Sequence, residues 1–143
     1  MISLIITVYN KAPFLRRCLA SVYTQRDKSA QIIVVDDGST DQTADTIHSF
    51  LDNRIVHVRR EHDYMASMNA GIRLAKGKYI MRMDADDLML QGRIRRQVEY
   101  MEAHPEVDVC GSGMKNFGKD DSSLYGLIGH ISVISSLLLY NTM

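Results

Sequence analysis

The chain has few cysteines and no excess of either charge, and both absences exclude classes of protein. Cys18 and Cys110 are its only two cysteines among 143 residues. They match no metal-binding spacing and are too few for a disulfide framework, so we expect both to be small buried side chains. Lys and Arg total 17, as do Asp and Glu, which leaves no net charge. That balance argues against sequence-independent binding to nucleic acid.

No long apolar run is present either. None approaches the roughly 20 residues that a membrane span needs. The apolar start of the chain is followed by Lys11 instead of being preceded by a basic residue, and no small-residue cleavage site comes next. We therefore predict no signal peptide and a cytoplasmic location, with peripheral attachment to a membrane as the alternative.

Common catalytic motifs are missing as well. The sequence contains no G-x-x-x-x-G-K-[ST] phosphate loop, no H-E-x-x-H, no C-x-x-C and no G-x-S-x-G. Gly111, Gly113 and Gly118 do not complete a G-x-G-x-x-G fingerprint, because position 116 is Asn. The five histidines are scattered, and we expect structural or solvated roles for all of them: His48, His57, His62, His104 and His130.

Strand-like and helix-like segments alternate along the chain. This alternation predicts an α/β fold with a mostly parallel sheet flanked by helices. The predicted strands are 2–8, 32–35, 55–58, 79–83 and 107–111, followed by a loop or hairpin over 112–126. The predicted helices have apolar stripes of Phe14, Leu15, Cys18, Leu19 and Val22; of Ile47, Phe50 and Leu51; of Met65, Met68, Ile72 and Ala75; of Ile94, Val98 and Met101; and a last one over 131–140.

Two helix starts carry capping patterns. Asn10 is predicted to cap the first helix, and Ser39 with Gln42 three residues later forms a capping-box pattern for the second.

Polar clusters follow three of the predicted strands. They are Thr7-Tyr9-Asn10, Asp36-Asp37-Gly38-Ser39 and Asp84-Ala85-Asp86-Asp87. Because ligands of open parallel sheets bind at the carboxyl ends of the strands, these clusters indicate one shared site.

The aspartates after the fourth strand suggest a cation site. Three carboxylates within four residues repel one another, and Mg²⁺ or Mn²⁺ relieves such repulsion through oxygen ligands, with substrate phosphates completing the shell. Alternation along an extended turn lets Asp84 and Asp86 project to the same side. The alternative is a solvated loop in which the three side chains spread into water.

The cluster after the second strand suggests base recognition. Asp37 can accept a hydrogen bond from a ring N–H such as N3–H of uracil, Tyr9 can offer a ring face, and Thr7 can add a hydroxyl bond. The alternatives are an ordinary half-buried Tyr9 and a turn with helix capping, served by Asp37, Gly38, Ser39 and Asp41.

These blocks resemble the family 2 glycosyltransferases, which have the GT-A (Rossmann-like) fold. The resemblance covers roughly residues 2–117, with a weaker echo over 130–141. It is carried by Ile5-Ile6-Thr7-Val8-Tyr9-Asn10, Val34-Val35-Asp36-Asp37-Gly38-Ser39-Thr40-Asp41, Asn69-Ala70-Gly71-Ile72, Ala75-Lys76-Gly77-Lys78-Tyr79-Ile80 and Asp84-Ala85-Asp86-Asp87, in that order.

The resemblance implies transfer of a sugar, with inversion, from a nucleoside-diphosphate sugar to an acceptor, as in polysaccharide biosynthesis. It implies that Thr7, Tyr9 and Asp37 hold the nucleobase and that Asp84 lies near the ribose. It also implies that Asp86, with Asp87 as a second contact, meets Mn²⁺ or Mg²⁺. A UDP-sugar is favoured, because Asp37 suits N3–H of uracil.

Three departures from the family pattern affect this reading. Thr7 stands where proline is common, and Gly92 where another proline is usual. Met68 stands where an arginine often reaches the diphosphate, and Arg59, Arg60 or His62 is a candidate to replace it.

The chain is short for this family. We expect residues 1–117 to be the nucleotide-sugar-binding half and 118–143 the start of a truncated acceptor-side region, so the fold is incomplete at the C-terminus. No catalytic residue is assigned, because the general base is expected downstream of Met143. The acceptor is a glycan, a lipid carrier or a protein.

The C-terminal segment also predicts an interaction. Ile131, Val133, Ile134, Leu137, Leu138 and Leu139 would be exposed, which favours self-association. The absence of Lys and Arg after Asp120 argues against membrane-surface binding by this segment. Two alternative functions remain: a nucleotide-sugar-binding fragment without turnover, and a nucleotidyltransferase, which would require a Gly-rich phosphate loop after the first strand.

Overall fold

Four strands form the sheet that carries the polar clusters. The computed structural model describes residues 1–26, 29–115 and 124–125 and divides into two units, Met1–Arg93 and Ile94–Met143. In the first unit β1 (Ile2–Val8), β2 (Gln31–Asp36), β3 (Ile55–Arg59) and β4 (Tyr79–Asp84) pair in parallel in the order β3-β2-β1-β4. The predicted parallel α/β fold is confirmed.

The central strands are covered on both faces. Every residue of β1 is buried, as are all residues of β2 except Gln31, which is half-buried. Ile5, Ile33 and Val35 form the core on one face, and Met68 and Ala75 pack against it. A nearly continuous apolar run rich in β-branched residues is typical of a strand buried on both faces, and this explains why the bounds of β1 could be predicted.

The connections are helices. They are α1 (Ala12–Tyr23), α2 (Thr43–His48) and α3 (Tyr64–Leu74). α3 packs on β1 and β2 through its small residues, which include Ala70 and Gly71. A Cβ on Gly71 would lie 2.7 Å from Cγ2 of Ile5, so the glycine allows the helix to approach the sheet closely.

Both predicted helix caps are wrong. Asn10 does not cap α1; it adopts φ 50° and its Oδ1 accepts hydrogen bonds from the amides of Thr40 and Asp41. Ser39 does not cap α2 either. Instead one carboxylate serves both helices, because Asp41 accepts from the amide of Ala12 at 3.1 Å and from the amide of Thr43 at 3.0 Å. These bonds hold the loop after β1 against the loop after β2.

Three predicted apolar stripes are partly wrong. In α1 four of the five predicted residues are buried, but Phe14 is exposed. α2 ends at His48, so Leu51 lies beyond it and is exposed. The buried face of α3 is Ser67, Ala70 and Gly71, while Met65 and Ile72 are exposed. Small residues face the sheet because the helix lies close to it.

The second unit contains most of α4 (Arg93–Ala103), with β5 (Met114–Lys115) and β6 (Leu124–Tyr125), which pair antiparallel. Both strands lie within the loop or hairpin predicted over 112–126. The strand predicted over 107–111 is wrong: this segment follows a turn at 105–106 and forms no strand, because Asp108 interrupts a short apolar run. The predicted helix over 131–140 lies outside the described residues.

None of the helices in the described part of the chain is long and apolar enough to cross a membrane. The predicted functional boundary at residue 117 stays a prediction.

Candidate functional site

A cleft of about 290 Å³ opens at the carboxyl ends of β1 and β4. In the described sheet the chain passes from β3 on one side of β1 to β4 on the other, which makes this the point where strand order reverses and where such sheets bind ligands. Thr7 is the register partner of Asp84 across this point. The cleft is lined by Thr7, Val8, Tyr9, Lys11, Asp37, Tyr64, Asp84, Ala85 and Asp86.

Asp37 is a buried carboxylate held by three neighbours. Its side chain is 3% exposed. Oδ1 accepts from the Ser67 hydroxyl at 2.6 Å and from the Asp63 amide at 2.9 Å, and Oδ2 lies 2.9 Å from Nδ1 of His62. Burial by itself raises the pKa of Asp37, but these hydrogen bonds and the adjacent imidazole outweigh it and hold the pKa below its ordinary value. Asp37 is therefore an anion aimed at the cleft.

Tyr9 and His62 form a stacked pair beside that carboxylate. Their ring centroids are 4.0 Å apart with an interplanar angle of 22°. Both rings are largely accessible, with Tyr9 42% exposed and the His62 side chain 57% exposed.

The loop after β4 gathers negative charge. Oδ2 of Asp86 is 2.8 Å from the Lys11 ammonium, and Oδ1 of Asp84 is 2.6 Å from the Arg82 guanidinium. The hydrogen bond from Lys11 lowers the pKa of Asp86, whereas partial burial and the charges of Asp84 and Asp86 raise the pKa of Asp87. Arg93 and Arg82 act in the opposite direction on the pKa of Asp87, so cations lie near all three aspartates.

The structure brings five of the six predicted site residues to one cleft: Thr7, Tyr9, Asp37, Asp84 and Asp86. Asp87 does not line it. Within the described residues, no three His, Cys, Asp or Glu side chains are grouped closely enough to hold a metal ion by themselves.

None of the candidates to replace the missing arginine is a lining residue of the cleft, although His62 contacts Tyr9 and Asp37, which line it. Arg59 donates to the carbonyl of Ser39 at 2.8 Å, and neither it nor Arg60 nor His62 lines the cleft. Met68 packs on the core instead.

Sequence reasoning missed Lys11, Tyr64 and Ser67. Lys11 follows the Tyr9-Asn10 block directly, and this position at the end of β1 could have indicated that it lies in the cleft. Tyr64 and Ser67 reach the site because α3 begins beside Asp37, and no local pattern shows that.

A parallel sheet with a polar cleft at its switch point defines an open α/β protein of the class that binds ligands at the carboxyl ends of its strands. Comparison with known proteins agrees with this class. The model of the family "Glycosyl transferase family 2" matches residues 3–135. The chain belongs to this family.

Curated relatives include glycosyltransferase GlyG of Streptococcus pneumoniae, 30% identical over 87% of this chain and 42% of that protein. Another is WfaP of Escherichia coli, a UDP-Glc:alpha-D-GlcNAc-diphosphoundecaprenol beta-1,3-glucosyltransferase, 34% identical over 71% of this chain and 41% of that protein. Among solved structures, the mannosyltransferase PcManGT from Pyrobaculum calidifontis in complex with GDP-Man and Mn²⁺ superposes with a TM-score of 0.71 and 25% identity, covering 80% of this chain and 35% of that one. The fold is that of the GT-A neighbours.

The chain spans less than half the length of the curated relatives that it matches first, at 42%, 48% and 18% of each.

Proposed function

We propose that this chain is the nucleotide-sugar-binding part of a glycosyltransferase, which transfers a sugar from a nucleoside-diphosphate sugar to an acceptor with inversion. The observation that carries the proposal is the convergence, at the switch point of the sheet, of an ionised and buried Asp37, an exposed Tyr9 ring and the carboxylates of Asp84 and Asp86. Family membership supports the same reaction.

The base end of the donor is assigned to Asp37, Tyr9 and Thr7. A buried anion beside an aromatic face selects a planar ring that carries an N–H donor. N3–H of uracil meets that requirement, and the UDP-Glc in the name of WfaP supports a UDP-sugar. N1–H of guanine offers the same donor, so the GDP-Man bound to PcManGT makes a guanine nucleotide the competing donor.

The diphosphate end is assigned to the loop after β4. The donor set there fits a hard divalent cation, because Asp84 and Asp86 supply accessible carboxylate oxygens, 47% and 44% exposed, and Mg²⁺ typically takes one or two carboxylates with substrate phosphates. Asp86 would hold the ion, with Asp87 as a second contact. Bound there, Mn²⁺ or Mg²⁺ would neutralise charge on the departing diphosphate.

Lys11 adds a fixed positive charge at the same end. Its ammonium lines the cleft and lies on Oδ2 of Asp86. In this position it attracts a diphosphate and keeps Asp86 ionised, since its hydrogen bond lowers the pKa of that carboxyl.

The described residues do not identify the acceptor. A lipid-linked acceptor, as in the name of WfaP, a glycan and a protein are the candidate classes. A protein at the cytoplasmic face of a membrane would meet the first of these.

Calorimetric titration of the chain with UDP tests the proposal. We expect binding with Mn²⁺ that excess chelator weakens, and we expect Asp86→Asn to remove the metal-dependent part. Asp45→Asn is the matched control, because Asp45 is an exposed aspartate in the first turn of α2, outside the cleft lining. A folded chain that binds no UDP, or an Asp86→Asn variant that binds as well as the Asp45→Asn control, would refute the assignment.

A further inference from the structure

His62 contacts the two residues that the proposed function assigns to the nucleobase, Tyr9 and Asp37. Its imidazole is a planar ring that stacks on Tyr9 with centroids 4.0 Å apart, and its Nδ1 lies 2.9 Å from Oδ2 of Asp37. Nδ1 also lies 3.1 Å from the Asp37 carbonyl oxygen. Both partners of Nδ1 are acceptors, so this nitrogen carries the hydrogen. A ring with an N–H donor, stacked on Tyr9 and bonded to Asp37, has the recognition features of the base.

The rest of Asp37 is already committed. Oδ1 accepts from Ser67 and Asp63, and the side chain is 3% exposed. Oδ2 is therefore the oxygen left for a ligand, and His62 takes it. The imidazole lies on a face of Tyr9 and on Oδ2 at once, so a base that approaches from this side must displace the ring.

The backbone fixes His62 in this place. Gly38 has φ 81°, and a Cβ there would lie 3.0 Å from the amide nitrogen and 3.4 Å from the Cα of His62. The bare glycine lets the segment after β3 pass directly over the Asp37 turn. The His62 side chain itself is 57% exposed, so it can rotate into solvent without disturbing a core.

We propose that His62 is an internal competitor for the nucleobase, which occupies the base position in the nucleotide-free chain and rotates out when the donor binds. This inference rests on the proposed function, since it assumes that Tyr9 and Asp37 receive the base. In this proposal His62 lowers the affinity for the nucleotide. By sequence it is a candidate contact to the diphosphate, which is a different role.

The test compares two ligands that differ in the base. UDP and inorganic diphosphate are titrated, each with Mn²⁺, into the wild-type chain, His62→Ala and a control, His104→Ala. His104 stacks on Tyr100 with centroids 4.1 Å apart and an angle of 20°, a matched pair outside the cleft lining. We expect His62→Ala to bind UDP about three- to tenfold more tightly and to bind diphosphate unchanged, with the control at wild-type values for both.

Other results overturn the proposal in distinguishable ways. Weaker binding of both ligands by His62→Ala would make His62 a diphosphate contact, and weaker binding of UDP alone would make it part of the base site. Unchanged binding of both ligands would show that His62 does not compete with the base, and the proposal would be wrong. If wild type and His62→Ala are folded and neither binds UDP, the proposed function fails and the inference fails with it.

A second measurement follows the ring directly. The ring-proton signals of His62, shifted upfield by Tyr9 in the free chain, are expected to move toward solvent-exposed values as UDP saturates the site. Signals that stay at their free-chain position under saturating UDP would show that the imidazole does not leave, and the proposal would be wrong.

Discussion

Replacing Ser67 with alanine tests the bond that positions the base-binding carboxylate. The Ser67 side chain is fully buried, and its hydroxyl donates to Oδ1 of Asp37 at 2.6 Å. A hydrogen bond to a charged group contributes about 1.5–3 kcal/mol, and Oδ1 keeps the Asp63 amide in the variant. We therefore expect a loss of about 1 to 2 kcal/mol in the free energy of unfolding at pH 7, or roughly 3 to 8 °C in Tm.

The cost of Ser67→Ala should depend on pH. The folded-state pKa of Asp37 lies below its ordinary value, so the stability from its charged bonds is present above the unfolded pKa of about 3.9 and is lost as pH falls through the folded value. Urea unfolding at pH 7 and at successively lower pH, with an NMR titration of the Asp37 carboxyl carbon, measures both effects. We expect the pKa of Asp37 to rise in the variant and the stability difference to shrink in acid. A difference that stays constant as Asp37 protonates would mean that Ser67 contributes packing only.

Three further perturbations follow from single contacts. Gly77→Ala should lower the free energy of unfolding by about 2 kcal/mol or more, because the new Cβ would lie 2.5 Å from backbone atoms of β1. A free energy equal to that of the wild type in urea denaturation would show that β1 shifts to make room. Lys11→Met should change stability by less than about 0.5 kcal/mol, since the pair with Asp86 is exposed, while an NMR titration shows the pKa of Asp86 rising; a static pKa would remove Lys11 as its cause. Cys18 should resist thiol reagents in the folded chain, since burial and nearby aspartates raise its pKa to about 12, while Cys110 reacts; rapid labelling of Cys18 would disprove that burial.

The strands and their polar ends could be predicted because both depend on local sequence. A continuous apolar run such as Ile2–Val8 specifies a strand covered on both faces, and parallel topology brings the residues after each strand to one edge. The polar clusters were therefore expected at one site, and there Thr7 and Asp84 are register partners.

The cap of α1 could not be predicted because its partner is distant in sequence. Asp41 caps α1 from 29 residues away, and Asn10 bonds a loop 30 residues away. Ser67 and His62 reach Asp37 from 30 and 25 residues away in the same manner. The cap of α2 is local, because Asp41 lies two residues before Thr43, but the capping-box pattern assigned it to Ser39 instead.

Chemical-shift mapping of UDP on the isotopically labelled chain tests the central claim most directly. Amide signals are followed as UDP is added with Mg²⁺, which is diamagnetic and leaves the spectra sharp. The account predicts that the largest shifts fall at the strand ends and loops of the cleft, at Thr7, Tyr9, Asp37, Asp84 and Asp86. Saturable shifts that cluster away from the carboxyl ends of β1 and β4 would show that this cleft does not hold the nucleotide.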